Sequence, residues 1–285
     1  MARVVDGRIT ERQAGIRLDP STAWSRRLSS ALPWIAIGLF GIWSAVALTE
    51  QFVVGIIVGS LYALSAVGLT LIYGIARVSH FAHGDVMMLA AYLGFFLLTG
   101  SVAGVGSEDL VLPLRIDLLP GAADPIWRFS FGYGLVVAIA LAALLMVPIL
   151  LAIDRLVYRP LLGRGVGTAI VAVASLGVAI AMRGVTLIIW GAAGRRYSTG
   201  IRDTVEIPGL PPIVADQFFI LATADILALA TYVLLYRTQL GTAMRATADN
   251  ANLARASGID TMLVRRWTWA IGGALTAVAG CLLAL

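Results

Sequence analysis

The sequence contains no lysine and a single cysteine, Cys281, and each scarcity excludes a class of site. All 21 cationic side chains are arginines. Because a P-loop and a Schiff base both need a lysine, neither can be built from this chain. One cysteine cannot form a disulfide within the chain, and the apolar run around Cys281 favours core packing.

Charged residues are scarce as well. They make up 13% of the 285 residues, against about a quarter in soluble domains, whereas hydrophobic residues make up 59%. The mean hydropathy is +0.90, and several uncharged runs approach the length of about 20 residues that one bilayer crossing requires. The composition excludes a soluble globular protein, a disordered chain, a collagen and a disulfide scaffold, and it predicts a multi-pass membrane protein.

Runs without charge locate the crossings, because an ionised group at the bilayer centre costs roughly 3 kcal/mol or more. Four runs are uncharged, two contain Arg183 or Asp225, and the run 86–99 has only 14 residues. A helix of that length covers roughly 21 Å, less than the hydrocarbon core of about 30 Å. The membrane-spanning segment must therefore also include residues from 80–85. The six longer runs are 28–49, 51–76, 129–153, 165–194, 217–236 and 267–285.

These runs predict an all-α polytopic membrane protein with about seven transmembrane helices, one of them discontinuous. With the N-terminal tail in the cytoplasm, 15 arginines fall in inner segments and five in outer segments, while Arg183 lies within a span. The positive-inside rule favours this orientation. A re-entrant segment near Arg77 is an alternative that would change the parity of the preceding crossings.

The N-terminal region divides into a cytoplasmic tail, 1–27, and an extra transmembrane helix, 28–49, ahead of the main domain, 51–285. A cleaved signal peptide is an alternative for the first helix, because two arginines precede it and a small-residue triplet lies near its end. The apolar run is longer than an ordinary signal core, which favours a retained helix.

The stretch 237–266, here called the coupling segment, lies between two predicted spans and is too polar to cross the membrane. Thr247 or Asp249 can cap a helix over 248–257, and Gly258 can supply the left-handed residue that ends it. We expect a short helix of roughly 15 Å beneath the membrane. On composition alone, a plain surface helix between two spans is an equal alternative.

Three stretches of the sequence carry motifs at defined spacings. In the coupling segment these are Arg237, Thr238, Gly241, Arg245, Ala246, Asp249, Asn250, Ala254, Gly258 and Ile259. The other positions are Gly59–Leu64, Gly68–Thr70, Tyr73–Gly74, Phe81–Asp85 and Tyr158–Leu161. The first set resembles the cytoplasmic coupling loop of the permeases of high-affinity branched-chain amino acid ABC importers, and the others resemble that family's first core helix with the helix start that follows it, and a motif after the next span.

The resemblance runs from about Gln51 to the end of the sequence and implies a permease subunit without enzymatic activity. It would move branched-chain amino acids or related small solutes across a bacterial inner membrane. The family normally continues with further spans, so the permease domain is expected to be truncated and its C-terminal spans missing. The implied ATPase-coupling residues are Arg245, Asp249, Asn250, Leu253, Ala254, Arg255 and Gly258.

The partners that the resemblance implies are separate ATPase subunits, a second homologous permease subunit, an extracytoplasmic solute-binding protein and the lipid bilayer. No nucleic acid is expected. ATP would be bound by the partner subunits, so no cofactor is expected in this chain, and no metal site either. The coupling helix would sit in a cleft on the ATPase and transmit its closure to the spans.

Polar side chains along 51–76 form the candidate substrate pathway, because uncharged hydroxyl groups suit a zwitterion that must be held weakly and released. For each hydroxyl, a hydrogen bond to its own helix is the alternative, and the glycines at 55, 59 and 68 are expected to serve close packing. The candidate pathway residues are Ser60, Tyr62, Ser65, Thr70, Tyr73, His83, Asp85 and Arg183.

Ionisable residues near the membrane allow several interpretations. His80, His83 and Asp85 lack an evident third strong ligand for a metal, so we expect His83 and Asp85 to hold a helix break together, with Gly84 allowing the bend. Arg183 and Asp225 have opposite signs, which predicts a mutual ion pair or water-lined positions. A sharper hypothesis places Arg183 against a substrate carboxylate.

Two alternatives to the branched-chain importer stay open at this point. An ion-coupled secondary carrier would use Asp85, Arg183 and Asp225. An ABC permease for urea, short amides or aromatic acids would share every motif named above. An intramembrane enzyme finds no support, because no nucleophile with a neighbouring base is evident in the sequence.

Overall fold

The computed structural model describes residues 20–102, 109–113, 115–197, 202–208 and 211–285, with side chains from residue 31 onwards. Most of the predicted cytoplasmic tail, 1–19, therefore lies outside the described residues. Nearly all regular structure in the described part is helical, and the only strands there are two antiparallel pairs of two-residue strands, β1–β2 and β3–β4.

The helices are numbered in chain order. They are α1 Pro20–Ala47, α2 Thr49–Leu71, α3 His83–Thr99, α4 Tyr133–Ile153, α5 Arg159–Gly163, α6 Thr168–Trp190, α7 Ala215–Arg237, α8 Gln239–Asp249, α9 Ala251–Ala256 and α10 Thr261–Leu283. The strands are β1 Ser101–Val102, β2 Leu110–Val111, β3 Thr204–Val205 and β4 Ile213–Val214. Single π-helical turns, Ile72–Ala76 and Asp154–Tyr158, follow α2 and α4, and Ile116–Leu118 is a 3₁₀ turn.

The chain divides into two compact units, 1–52 and 53–285. The first is described through α1, whose 28 residues include Pro33. Within that unit the Ser44 hydroxyl donates to the carbonyl of Gly41 at 3.0 Å, a bond to its own helix. The second unit contains every other helix and strand except the first turn of α2.

Four helical segments among the described residues are long and apolar enough to cross a membrane: Thr49–Ala76, Tyr133–Gly163, Thr168–Trp190 and Ala215–Arg237. The apolar helices Ala31–Ala47 and His83–Thr99 are shorter, and α10 carries two arginines in its first half. The all-α membrane architecture is therefore confirmed, while the count of seven crossings stays a prediction.

Helix α10 lies at the centre of the second unit, where it packs against α3, α4 and the end of α2. Glycines allow these close approaches: a Cβ at Gly280 would lie 2.2 Å from the carbonyl oxygen of Met87 on α3. At Gly68 on α2 it would lie 2.8 Å from the carbonyl oxygen of Gly272. Small residues of this kind let helix backbones meet inside a membrane, and the packing role expected for Gly68 is confirmed.

The chain breaks between α2 and α3. Helix α2 widens into its π-helical turn, Arg77 then adopts a left-handed conformation at φ 55, and helical structure resumes at His83. The break falls where the short apolar run 86–99 predicts a discontinuous helix start. At its two ends, the Ala76 carbonyl and the Ala82 N–H are bonded by side chains from other elements instead of by helix backbone.

The coupling segment forms two short helices rather than one. Asn250 is extended at φ −152, and its side-chain oxygen accepts hydrogen bonds from the backbone N–H groups of Asn252 and Leu253 at 3.0 and 3.1 Å. The helix cap is thus Asn250, and the predicted cap at Thr247 or Asp249 is wrong. Thr247 sits inside α8 and donates to Ala243 instead, whereas Gly258 is left-handed at φ +86, as predicted.

Replacing Gly280 by alanine should destabilise the fold. The added methyl would overlap the Met87 carbonyl and force α10 away from α3, an overpacking that costs about 2 kcal/mol. Unfolding of the detergent-solubilised protein, followed by circular dichroism against increasing SDS, measures this loss. Gly184→Ala on α6 is the matched control, because a Cβ there would meet no described residue within 4 Å. An equal loss in both variants would contradict the packing role.

Candidate functional site

The helix break is held from one side by Ser65 and His83. Nε2 of His83 lies 3.0 Å from the Ser65 carbonyl oxygen and 2.9 Å from the Ser65 hydroxyl. Because a carbonyl oxygen only accepts, Nε2 carries the proton and donates, and the hydroxyl in turn reaches the sulfur of Met87 at 3.1 Å. Both residues are buried, so this pair ties α3 to α2 across the break.

A second set of contacts holds the break from α4, α6 and α10. The Tyr158 hydroxyl lies 3.1 Å from Nδ1 of His80 and donates to the Ser175 hydroxyl at 3.1 Å. The Ser175 oxygen accepts from the backbone N–H of Ala82 at 3.1 Å, just before α3 begins. Trp269 stacks on Tyr158 with ring centroids 5.4 Å apart. The break is therefore fixed by buried side chains from three other elements.

Arg183 pairs with Asp85 rather than with Asp225. Its Nη2 lies 3.0 Å from Oδ1 of Asp85, and its Nε donates to the same oxygen at 3.1 Å. The Asp85 side chain is 10% exposed and the Arg183 side chain 66% exposed. The expected mutual pair of Arg183 and Asp225 is thus not formed, because α6 presents Arg183 to the first turn of α3. Of the two residues expected to hold the break together, His83 binds α2 across it, whereas Asp85 binds α6 instead.

One face of α2 and of its π-helical turn, here called the open face, is uncovered by the part of the chain that the structure describes. Tyr62 and Tyr73 are more than half exposed on it, and a Cβ at Gly55 or Gly59 would meet nothing within 4 Å among the described residues. The packing role expected for these two glycines is therefore not fulfilled within the described part of the chain. A cavity of about 300 Å³ and another of about 380 Å³ adjoin this face. Their linings include Leu69, Thr70, Tyr73, Ser79, His80 and Phe81 in the first, and Tyr62, Gly84, Met87, Met88, Ala91 and Gly280 in the second.

Two of the predicted pathway hydroxyls donate hydrogen bonds to backbone carbonyls of their own helix. Ser60 donates to the carbonyl of Ile57 at 2.7 Å, and Thr70 donates to that of Val67 at 2.9 Å. The eight candidate pathway residues therefore fall into four groups. Tyr62, Thr70 and Tyr73 lie on the open face, and Ser60 is bonded to its own helix. Ser65 and His83 form the buried pair across the break, and Asp85 and Arg183 form the ion pair between α3 and α6. Among the described residues, no group of three potential ligands could hold a metal ion.

A buried carboxylate that the sequence analysis did not single out lies at the coupling-segment end of α4. Asp154 has no exposed side-chain surface and accepts hydrogen bonds from Arg159 and Arg265. A further nitrogen of Arg265 donates to the carbonyl oxygen of Ala76 at 2.9 Å. An aspartate at the end of an otherwise uncharged span was the available signal.

The coupling segment presents some of its candidate residues and uses others internally. Leu253 is 65% exposed on α9 and Arg255 is exposed beside it, whereas Ala254 is buried at 4%. Asn250 is the cap described above. The guanidinium of Arg245 lies 5.0 Å from the ring centre of Tyr236 on α7, so it braces the segment. Asp249 is exposed at the end of α8.

The segment is also joined to the helix break. Nη2 of Arg77 donates to the carbonyl oxygen of Ala248 in the last turn of α8 at 2.7 Å. Gly241 lets α8 turn back sharply under α7, since a Cβ there would lie 2.2 Å from the Leu234 carbonyl oxygen. The coupling segment and the residues next to the open face of α2 are therefore in direct contact.

At the opposite end of the second unit, described parts of two loops are joined by an ion pair. Asp109 accepts from Arg195 and, at 2.9 Å, from the Ser101 hydroxyl. These hydrogen bonds, that of Arg195 above all, hold the pKa of the Asp109 carboxyl below its usual value. Trp190 donates to the Ser101 carbonyl at 3.1 Å. This link gives the loops after α3 and α6 a shared ordered edge.

Comparison with known proteins agrees with this arrangement. The profile of the family described as "Branched-chain amino acid transport system / permease component" matches residues 51–285. The matched region begins at the third residue of α2 and includes the break, the ion pair of Arg183 with Asp85, the buried Asp154 and the whole coupling segment. No solved structure matches the chain.

Three relatives illustrate the similarity. The high-affinity branched-chain amino acid transport system permease protein BraD of Pseudomonas aeruginosa is 28% identical over 240 residues, covering 83% of this chain and 70% of the relative. LivH of Escherichia coli K12, with the same description, is 28% identical over 248 residues, covering 82% and 70%. A probable LivH of Methanocaldococcus jannaschii is 27% identical over 234 residues, covering 80% and 64%. The chain thus belongs to the family of branched-chain amino acid transport system permease components, and it functions as the permease of an ABC importer.

Proposed function

We propose that this permease carries branched-chain amino acids across a bacterial inner membrane and is driven by ATPase subunits that dock on α9. The observation that carries the proposal is the exposed α9, with Leu253 presented between a capped start at Asn250 and a left-handed end at Gly258. Such a knob suits a cleft on a partner, because a buried apolar anchor supplies much of the binding energy at an interface. Asp249, Arg255 and Gly258 complete the docking surface.

The contact between the coupling segment and the helix break supports a coupling role for this surface. Arg77 is the first residue after the π-helical turn that follows α2, and its side chain binds the last turn of α8. Movement of α9 and α8 against the membrane would therefore displace the break. Coupling of this kind needs an element with two arrangements that both sites influence, and the non-helical stretch 77–82 is the candidate.

The open face of α2 is the proposed substrate pathway. Its two cavities of about 300 and 380 Å³ are mostly apolar and offer aromatic hydroxyls but few charges. An apolar side chain with a zwitterionic head fits such a face, since apolar surface is buried while the charged head keeps contact with water. His83 and Ser65 stay structural in this proposal. Arg183 and Asp85, paired between α6 and the first turn of α3, are assigned in this proposal to a charged edge of the pathway.

Further partners follow from the same geometry. A second permease subunit would cover Gly55 and Gly59, whose Cβ positions meet nothing within 4 Å among the described residues, and so enclose the pathway between two α2 helices. A solute-binding protein would dock on the ordered loop edge at Asp109 and Arg195. The lipid bilayer surrounds the remaining helices.

The proposed topology has seven crossings with the N-terminal tail in the cytoplasm. In this arrangement 1–27 is the tail, 28–49 an additional transmembrane helix, and 51–285 the permease domain. Both ends of the coupling segment then emerge on the cytoplasmic side, where ATP is available. The arginines at 155, 159, 164, 265 and 266 lie on that side too, as the positive-inside rule requires.

Reconstitution tests the proposed substrate and energy source. The permease, its ATPases and its binding protein are placed in proteoliposomes, and uptake of radiolabelled leucine is measured with ATP or with a non-hydrolysable analogue. We expect uptake only with ATP, competition by isoleucine and valine, and none by urea or acetamide. Competition by urea alone would reassign the substrate, and uptake driven by an ion gradient without ATPases would contradict the proposal.

Replacing Leu253 by alanine should weaken ATPase binding. If Leu253 fills a cleft, its loss costs about 1.4 kcal/mol or more, and the Kd for the isolated ATPase rises about tenfold. Biolayer interferometry with the permease in nanodiscs measures this affinity. Met262→Ala is the matched control, since Met262 is also apolar and exposed, at 45%, one turn beyond Gly258. An unchanged Kd for Leu253→Ala would exclude α9 as the docking element.

Replacing Tyr73 by alanine should raise the KM for uptake by about tenfold, because the substrate loses an aromatic contact of about 1.4 kcal/mol on the open face. Leu229→Ala on α7 is the control, with a side chain of similar exposure. Thr70→Val should leave the KM unchanged, since the Thr70 hydroxyl is bonded to its own helix. Equal KM values for the tyrosine variant and wild type would argue against this pathway.

A further inference from the structure

Three helix ends meet at one buried carboxylate. Asp154 begins the π-helical turn after α4, and its side chain has no exposed surface. Arg265, in the second turn of α10, reaches it with Nη2 at 2.5 Å from Oδ1 and with Nε at 3.0 and 3.3 Å from the two oxygens. The remaining nitrogen, Nη1, donates to the carbonyl oxygen of Ala76 at 2.9 Å. Arg265 therefore links α10 to the ends of both α2 and α4.

A second arginine binds the same carboxylate without making this link. Nε of Arg159 lies 2.7 Å from Oδ2 of Asp154, and within the described residues Arg159 makes no hydrogen bond to α2. Two arginines around one carboxylate leave a net positive charge in a largely buried place. One arginine would be enough to neutralise the charge of Asp154. The second arginine, Arg265, and its bond to Ala76 therefore require a separate explanation.

Stability is a weak explanation for the Arg265 contacts. Taking charges out of water is costly, and well-packed apolar residues in place of a buried ion pair are often as stable or more so. What the guanidinium adds is geometry, because its fixed fork of donors binds a carboxylate and a carbonyl in one defined arrangement. Both anchor points, Ala76 and Asp154, belong to π-helical turns, which are frequent at functional sites in helices.

The position of Arg265 connects this link to the coupling segment. Helix α10 begins at Thr261, three residues after Gly258, and its start is capped by Asp260. A tilt of α9 therefore moves the first turns of α10 and carries Arg265 with them. Ala76 precedes Arg77, which the last turn of α8 already holds through the Ala248 carbonyl. Ala76 and Arg77 are thus held by the second turn of α10 and by the last turn of α8, respectively.

We propose that Arg265 is a positioning residue that transmits the movement of α9 to Ala76 and so to the break beside the substrate pathway, with Asp154 as its fixed anchor. This inference rests on the proposed function, because it assigns the route by which ATPase closure reaches the pathway. Arg159 holds Asp154 in place and lies outside the route. Transmission by this route requires the hydrogen bond from Nη1 of Arg265 to the Ala76 carbonyl. A positive charge at position 265 is not sufficient.

Arg265→Lys separates these two roles. A lysine keeps the positive charge beside Asp154, but its single ammonium group cannot occupy the positions of all three guanidinium nitrogens. In the reconstituted importer we expect ATP hydrolysis at the wild-type rate and about tenfold more ATP consumed per solute imported, within the usual range of coupling between sites. Arg159→Lys is the matched control, and we expect its ratio to equal that of the wild type.

A labelling experiment measures the conformational step itself. Phe81 lies in the break and is 65% exposed, whereas the native Cys281 is fully buried, so Phe81→Cys supplies the reactive thiol for a maleimide. In the assembled complex, ATP should change the labelling rate severalfold in the wild-type and Arg159→Lys backgrounds and leave it unchanged with Arg265→Lys.

Several outcomes would overturn the inference. One is an equal ATP-to-solute ratio for the Arg265→Lys and Arg159→Lys variants. Another is a labelling rate that still depends on nucleotide in Arg265→Lys. The third is an Arg265→Lys complex that fails to assemble, since the bond to Ala76 would then be required for folding. Failure of the proposed function is distinguishable, because wild-type proteoliposomes themselves would then show no ATP-driven uptake.

Discussion

Backbone groups that a helix leaves unpaired near hydrocarbon must find partners within the protein, since each unsatisfied group there costs several kcal/mol. The break between α2 and α3 creates this demand over residues 76–82. Side chains meet it at the two ends of the stretch, Arg265 at the Ala76 carbonyl and Ser175 at the Ala82 N–H. Two further bonds fasten the break to its neighbours, from Arg77 to the Ala248 carbonyl of α8 and from His83 to the Ser65 carbonyl of α2. These four bonds hold one stretch of chain from α2, α6, α8 and α10.

This requirement explains why an apolar chain retains its particular charges. Asp154 and its two arginines lie where α2 and α4 end and α10 begins, and Tyr158, four residues after Asp154, contacts His80 within the break. The polar contacts therefore form one connected region between the coupling segment and the open face of α2. In contrast, α10 packs against α2, α3 and α4 through glycines and apolar side chains. The closely packed helices therefore surround a break whose contacts are mainly polar.

Hydropathy and charge spacing were sufficient to predict the membrane class, the broken start of α3 and the location of the coupling segment, because these depend on local composition. The partners of the charged residues were not predictable in the same way. The sequence allows Arg183 and Asp225 either to pair or to lie in water-lined positions, whereas the structure pairs Arg183 with Asp85, since the pairing depends on how α3 and α6 rotate against each other. Asp154 was overlooked because its role depends on α10, more than a hundred residues later in the sequence. The cap at Asn250 was missed because Thr247 and Asp249 have similar local preferences.

The brevity of α9 has a consequence for recognition. Six residues are far fewer than the roughly 12 that an isolated helix needs to persist in water, so its shape is imposed by Asn250, by the turn at Gly258 and by the buried Ala254. A binding partner accordingly meets a surface that is already ordered and loses little conformational entropy on association. A peptide copied from this stretch alone would be a poor mimic of it, because the scaffold rather than the peptide holds the conformation.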